Sequence, residues 1–325
     1  MKNIHKTALI GTGYWGSIIF STLNKTTKKK IFTFDKNKGN LKLLKKKFKE
    51  KVVIAKKIDE LLDNKSIENI ILATHPSVNF ELGKKVLKKN KNLFIEKPIV
   101  TSNKELSTLI KYAKLRKKIL MGGYIYLFNS YIKKIKQILN SKRLGKIKYI
   151  EIQRKNLGPI RTEVGAHIDL GSHDISILKY LFDKKLKIKN IIKKNILKNN
   201  ISDISSMYLS IGNINCEIIS SWLNPTKDRK MIFIGTKKMM VFDEMKKNNK
   251  LKIFNKYAEY PTLTKFKKNY ISNKARIYTG KTTVINVKET DTLKNELMHF
   301  EYVSKYYKKP ITNGNFCLDI LKLII

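Results

Sequence analysis

Residues 7–35 read TALIGTGYWGSIIFSTLNKTTKKKIFTFD, and this stretch decides the fold. An apolar run, 7–10, leads directly into Gly11-Thr12-Gly13-Tyr14-Trp15-Gly16. A helical pattern follows from Ser17 to Leu23, and a second β-rich run, 31–35, ends in Asp35. Glycines alone occur in many turns. A G-x-G-x-x-G between a strand and a helix, with an acid closing the next strand about 20 residues on, is the dinucleotide-binding pattern. Gly11 is expected to make the tight turn, Gly13 to let the backbone approach a pyrophosphate, and Gly16 to let helix and strand pack closely. Asp35 would accept hydrogen bonds from the adenosine-ribose hydroxyls and repel a 2′-phosphate. NAD is therefore favoured over NADP, with Lys36 and Lys38 softening the discrimination.

Outward from this stretch the alternation continues. VVIA (52–55), NIILAT (69–74), NLFIE (92–96) and ILMGG (119–123) read as further strands, separated by runs of helical period. That is the pattern of a parallel sheet with crossover helices. Ser102 and Glu105 form an S-x-x-E capping box ahead of Leu106, Leu109, Ile110 and Ala113 at helical spacing. Past Ser130 the rhythm changes. A helix over 130–141, a β run over 147–154 and a helix from about His167 to Leu181 precede ISSMYLSIG, NCEIISSWL, KMIFIGT and KMMVFDE, whose short connections predict a mostly antiparallel sheet. Residues 292–307 return to a helical period. The fold class is α/β, with a Rossmann dinucleotide-binding domain over 1–123 and an α+β domain over 124–325 whose sheet is open and mainly antiparallel.

Composition narrows the function. The 325 residues are 42% hydrophobic, which excludes a disordered chain despite a net charge of +44. That charge invites a nucleic-acid reading, but it comes from 63 lysines and only six arginines spread through the whole sequence. Bidentate phosphate and base recognition favours arginine, so no specific nucleic-acid partner is expected. Residues 7–24 carry no charge, but Gly11, Gly13, Gly16, Ser17 and Ser21 interrupt them, so neither secretion nor a membrane span is expected. Cys216 and Cys317 form no CxxC or Cys/His cluster and fit a reducing, cytoplasmic setting.

Two constellations carry chemistry. Glu96-Lys97-Pro98 closes the fifth strand, where open α/β sheets place their ligands, so Lys97 is a candidate proton donor or acceptor. Farther on, Asp169 and His173 are an i, i+4 pair that falls on one face of a helix. A metal set of His167, Asp169 and His173 is disfavoured, because His167 lies six positions from His173 and points elsewhere. The remaining alternative is a structural Asp/His pair. Arg154 and Arg161 suit an anionic substrate group, since a guanidinium forks onto two oxygens.

Together, GTGYWG, ATHPSVNFELGKKVL, NLFIEKPIV, G-x-x-x-D-x-x-x-H at Gly165, Asp169 and His173, and TLKNELMHFEYVSKYYKKPITNG make the chain resemble the glucose-fructose oxidoreductase, inositol dehydrogenase and MocA family over nearly its whole length. The resemblance implies NAD(P)-dependent oxidation or reduction at a carbinol of a sugar, cyclitol or nucleotide sugar. By match to the motifs, Lys97 lies near the nicotinamide, His173 exchanges the hydroxyl proton, and Asp169 binds substrate or orients His173. Tyr14 and Trp15 stand on the cofactor side, and Thr74 and Glu96 line its ribose path. Asn79 replaces a histidine found in many members. A homo-oligomer, dimer or tetramer, through the second sheet is also implied. The segments 122–139, 144–165 and 173–181 look most like members of surface-polysaccharide and nucleotide-sugar pathways. The competing reading is a non-catalytic NAD-binding sensor or nucleic-acid-associated regulator, against which the intact Lys97, Asp169 and His173 set argues.

Overall fold

The computed structural model describes residues 7–182, 184–197, 200–259 and 275–324. The chain divides into two compact units: Met1–Phe128 with Thr290–Leu323, and Asn129–Glu289. The expected boundary at 123/124 thus falls five residues early, and the C-terminal segment belongs to the first unit rather than the second.

In the first unit six strands, β1 (Thr7–Ile10), β2 (Ile31–Phe34), β3 (Val52–Ile54), β4 (Asn69–Leu72), β5 (Asn92–Glu96) and β6 (Leu120–Gly123), form a parallel sheet in the order β3-β2-β1-β4-β5-β6. All six lie where the apolar runs predict them. β1 and β4 are buried at every position, as central strands covered on both faces must be. Helices α1 (Tyr14–Thr26), α2 (Lys38–Phe48), α3 (Ile58–Asp63), α4 (Pro76–Lys88) and α5 (Asn103–Leu115) connect them. The capping box of α5 closes as expected: Ser102 Oγ accepts from Glu105 N at 3.3 Å and Glu105 Oε2 accepts from Ser102 N at 3.2 Å. Register then fixes the site. Ile10 pairs with Phe34 and Leu72, Leu72 with Ile95, and Glu96 with Gly123, so the residues that follow these partners share one edge of the sheet.

The second unit holds α6 (Ser130–Asn140), β7 (Ile147–Leu157), α7 (Ala166–Asp169), α8 (Gly171–Leu181), β8 (Leu186–Lys194), β9 (Ile204–Ile211), β10 (Ile214–Ser221), β11 (Leu223–Gly235), β12 (Met239–Asp243), β13 (Leu251–Phe254), β14 (Tyr257–Glu259), β15 (Arg276–Tyr278) and β16 (Thr282–Val284). Eight strands form one sheet, β16-β13-β12-β11-β7-β10-β9-β8, antiparallel except between β7 and β10. Alternation puts Ile150, Ile152, Met207, Leu209 and Ile218 on its covered face, while Tyr149, Glu151, Gln153 and Tyr208 stand on the open one. The apolar alternation of β8, clear over Leu186-Lys187-Ile188-Lys189, breaks at a bulge between Ile188 and Asn190 and gives way to the adjacent Ile191 and Ile192 on this lysine-rich edge strand.

Two helices return to the first unit. α9 (Thr292–Tyr306) lies against α1, and its Phe300 ring meets Phe94 of β5 at 5.6 Å between centroids. Both rings are fully buried, and each such burial contributes about 1.5–3 kcal/mol. Before α10 (Gly314–Ile324), Thr312 accepts Gly122 N at 2.9 Å and donates back to Gly122 O at 2.7 Å, extending the edge beyond β6.

Candidate active site

The glycine turn fits a dinucleotide on steric grounds. Gly11 has φ +91°, and a Cβ there would strike the Ala73 carbonyl; one on Gly16 would strike the carbonyl of Gly11. In front of Gly13 the space is open, the nearest atom to a Cβ being Asn40 Nδ2 at 4.0 Å. Gly13 is also the N-cap of α1, whose first turn has no side-chain cap, so its amides are available to an anion. Tyr14, 85% exposed, and the half-buried Trp15 open the helix beside them.

Asp35 closes β2 at the same edge. Its Oδ2 accepts from Thr12 N at 2.6 Å, Thr12 Oγ1 at 2.9 Å and Asn40 Nδ2 at 3.2 Å, and its Oδ1 accepts from Asn37 N at 2.8 Å. Burial works against the charge, but these hydrogen bonds outweigh it and hold the carboxyl below its ordinary range. The carboxylate keeps lone-pair room on Oδ1, and its fixed negative charge opposes a 2′-phosphate. Thr12 and Asn40, which hold the Asp35 carboxylate, were not singled out by the motif reading. The signal was an amide five residues after the acid.

Thr74 and Glu96 occupy the next positions along the edge. Thr74 Oγ1 donates to Asn79 Oδ1 at 2.5 Å, and Asn79 Nδ2 donates to the Pro98 carbonyl at 3.3 Å. Asn79 is fully buried, so it ties the loop after β4 to the Lys97-Pro98 turn, whose peptide bond is cis. At Gly123 a Cβ would come within 2.6 Å of Glu96 Oε2, so glycine there makes room for the carboxyl. Burial pushes Glu96 up to about 7, against lowering contributions from Trp15, the Lys97 amide and the Lys97 charge. The structure thus gathers Gly11, Gly13, Tyr14, Trp15, Gly16, Asp35, Thr74, Glu96 and Lys97 at one edge of the first unit.

In the second unit the expected single helix is two. α7 ends at Asp169, Leu170 separates them, and α8 starts at Gly171 with His173 in its first turn. Arg161 Nε donates to Asp169 Oδ2 at 3.2 Å, with the arginine half-exposed and the acid mostly covered. Arg154 is placed differently from expectation. It is 5% exposed, and its guanidinium forks onto the fully buried Asp174, Nε to Oδ2 at 2.8 Å and Nη2 to Oδ1 at 2.6 Å. A buried arginine requires a counter-charge, and Asp174 supplies it where a substrate anion was expected. His167 bonds Ser202 Oγ at 2.8 Å, and burial lowers its imidazole to about 4. Among the described residues no three His, Cys, Asp or Glu side chains are grouped to hold a metal ion.

Comparison with known proteins bears on the same segments. The Gfo/Idh/MocA description "Oxidoreductase family, NAD-binding Rossmann fold" matches residues 5–124, and "GFO/IDH/MocA C-terminal domain" matches 132–241. The chain belongs to the Gfo/Idh/MocA oxidoreductase family. Its first unit is accordingly the NAD-binding Rossmann domain of that family. An uncharacterized oxidoreductase of Streptococcus pneumoniae is 24% identical over 185 residues, 54% of this chain and 50% of that one. Oxidoreductase P35 of Formosa agariphila is 28% identical over 169 residues, 46% of this chain and 51% of its own. The chain therefore spans about half the length of the curated relatives it matches. Among solved Gfo/Idh/MocA-like structures, UDP-N-acetylglucosamine 3-dehydrogenase GnnA from Acidithiobacillus ferrooxidans superposes with TM-score 0.79 at 17% identity, covering 99% of this chain and 95% of that one. GenD2 from gentamicin A biosynthesis, solved with NAD, gives 0.78 at 15% identity, covering 100% and 93%. At these identities the likeness concerns the fold.

Proposed function

We propose that this Gfo/Idh/MocA member is an NAD-dependent dehydrogenase acting on a carbinol or carbonyl carbon of a sugar carried as a nucleotide sugar. The observation that supports it most is the edge of the first sheet, where an open glycine cradle and the ionised Asp35 share one row with Glu96 and Lys97. NAD, when bound, supplies the hydride acceptor.

The chain's own residues handle the proton and the charge. His173 takes the hydroxyl proton as the carbonyl develops, imidazole being the side chain that most often serves as general base. Lys97 stabilises the oxygen on which negative charge builds. Asp169, held by Arg161, binds the substrate or orients His173. Arg161 carries the anionic part of the substrate, and the Arg154 fork is directed inward at Asp174. Similarity to GnnA, named for a UDP-sugar, supports the nucleotide-sugar reading, and similarity to the glucose-6-phosphate 3-dehydrogenase of Bacillus subtilis, 26% identical over 150 residues, supports the coarser reading of a sugar substrate. The open face of the second sheet, with Tyr149 bonded to Glu217 at 3.0 Å, is the surface on which we expect self-association; sedimentation tests it.

The deciding experiment incubates the protein with NAD or NADH and a panel of UDP-, GDP- and CMP-sugars and follows the nicotinamide absorbance. Turnover with one of them supports the reading. NAD binding without turnover on any sugar would favour the sensor.

A further inference from the structure

Phe94 and Glu96 are two residues apart on β5 and face the same side of the sheet, and Glu296 and Phe300 are four apart on one face of α9. The Phe94 and Phe300 rings are in contact, 5.6 Å between centroids. Two residues of strand advance about 6.6 Å and four residues of helix about 6 Å, so each carboxyl lies a similar distance from the ring contact. The electrostatics agree: the Glu96 charge acts on Glu296. Glu296 is fully buried, neither of its oxygens has a hydrogen-bond donor, and Glu96 Oε1 is likewise sealed from solvent without one. Two buried carboxylates that feel each other's charge, with three donorless oxygens between them, cannot both be ionised.

This meeting lies at a definite place in the cofactor site. In this strand order a dinucleotide straddles the switch between β1 and β4. Asp35 marks the adenosine half on the β2 side, which leaves the β4–β6 side, where Glu96 stands, for the nicotinamide half. Resting on the proposed cofactor reading, we propose that Glu96 and Glu296 form a proton-sharing carboxyl pair at the nicotinamide end, and that its charge sets the protein's preference between NAD+ and NADH.

The physical reason is the charge of the ring, cationic in the oxidised cofactor and neutral in the reduced one. With the pair carrying one proton, the remaining negative charge favours NAD+; with two protons that advantage disappears. Burial places the titration of Glu96 at about 7, and burial together with the Glu96 charge keeps Glu296 well above the carboxylate range. Among the described residues, other groups of the neighbouring elements bear on the pair. Lys97 follows Glu96 and lowers it, and Trp15 on α1 adds its indole dipole, its N–H buried and outside hydrogen-bond geometry. β6 contributes Gly122 and Gly123, which carry no charge. Tyr124 and Cys317 behind β6 are pushed up by burial and stay neutral. The turn over 125–128 carries Tyr126, and α9 carries His299, whose Nε2 accepts from Ile311 N at 3.1 Å.

Calorimetric binding of NAD+, NADH and ADP-ribose to the full chain between about pH 6 and pH 8 tests the pair. One unit charge acting across roughly 12 Å at an effective dielectric near 20 gives roughly tenfold. The ratio of NADH to NAD+ dissociation constants is therefore expected to rise about tenfold with pH, centred on about 7, while ADP-ribose, which lacks the nicotinamide, shows no such rise. Glu296→Gln removes the like charge and donates a hydrogen bond, so Glu96 ionises earlier and the ratio stays flat at its high-pH value. Glu96→Gln holds the ratio flat at its low-pH value, because burial, the larger cause of the raised Glu296, stays in place and Glu296 lacks the Trp15 and Lys97 contributions that favour a charged Glu96. A flat ratio in the wild-type protein with ADP-ribose still bound overturns the pair and leaves the cofactor reading standing. Failure of all three ligands to bind overturns the cofactor reading itself. Because the wild-type measurement decides alone, a variant that does not fold leaves the test intact.

Discussion

Replacing Asp174 by Ala isolates what Arg154 does. The pair is a two-bond fork, 2.6 and 2.8 Å, between an acid with no exposed surface and an arginine that is 5% exposed. Removing one partner leaves the other charge buried, which costs about 3–5 kcal/mol in comparable cases. Glu244 moderates the loss. Its carboxyl is pushed up by burial and pulled back first by the Arg154 charge, so it stands close enough to take over part of the counter-charge. The expected loss is therefore about 3 kcal/mol, at the low end of that range. For a unit of this size each kcal/mol moves the melting midpoint by about 2–4 °C, so the apoprotein should melt about 6–12 °C lower by circular dichroism. Arg154→Met with Asp174→Leu, which removes both charges and keeps the volume, should recover most of that. KM for the sugar should change little in the double variant. An unchanged melting midpoint in Asp174→Ala, with a KM raised tenfold or more in the double variant, would refute the argument and return Arg154 to the substrate.

Asp35→Ser should narrow the gap between NAD and NADP affinity, because it removes the charge that opposes the 2′-phosphate; equal binding of both cofactors by the wild-type protein would sink the assignment. Lys97→Ala and His173→Ala should each lower kcat by ~100-fold or more with NAD affinity nearly unchanged. Near-native turnover in either removes that residue from the mechanism, and Asp169→Asn should weaken substrate binding with a smaller loss in kcat. His167 is lowered in the fold to about 4 from an ordinary 6.5, so the unfolded chain binds more protons between those values. Stability should fall as pH drops from about 6.5 toward about 4, and His167→Asn should show a shallower fall in urea titrations across that window.

Much of the first unit was legible because its signals are local. Six apolar runs became six strands, since a buried parallel strand must be apolar at nearly every position. The glycine turn was legible for a similar reason: a positive φ at Gly11 and the contact between Gly16 and Gly11 are demands of neighbouring backbone that only glycine meets. Lys97 was legible because it follows a strand and precedes a proline. The β8 edge was not, because the bulge between Ile188 and Asn190 and the adjacent pairs Ile191-Ile192 and Lys193-Lys194 break its alternation, and the break at Leu170 was not, because both of its flanks have helical period.

What a side chain meets was decided only by the tertiary structure. Apolar period says which face of α9 is buried, not that the helix returns to the first unit and brings Glu296 within reach of the charge of Glu96, 200 positions away. The arginine count made Arg154 conspicuous, but only the packing of α8 on the sheet brings Asp174 to it and turns it inward. Asp35 announced itself by its spacing, whereas Thr12 and Asn40, which hold its charge, became partners through the parallel register of β1 and β2 and the start of α2. The division has one cause. Backbone sterics and hydrophobic period act over a few residues and are written locally, while a polar group's partner is chosen by the requirement that buried charges and donors be satisfied, which only the closed fold can meet.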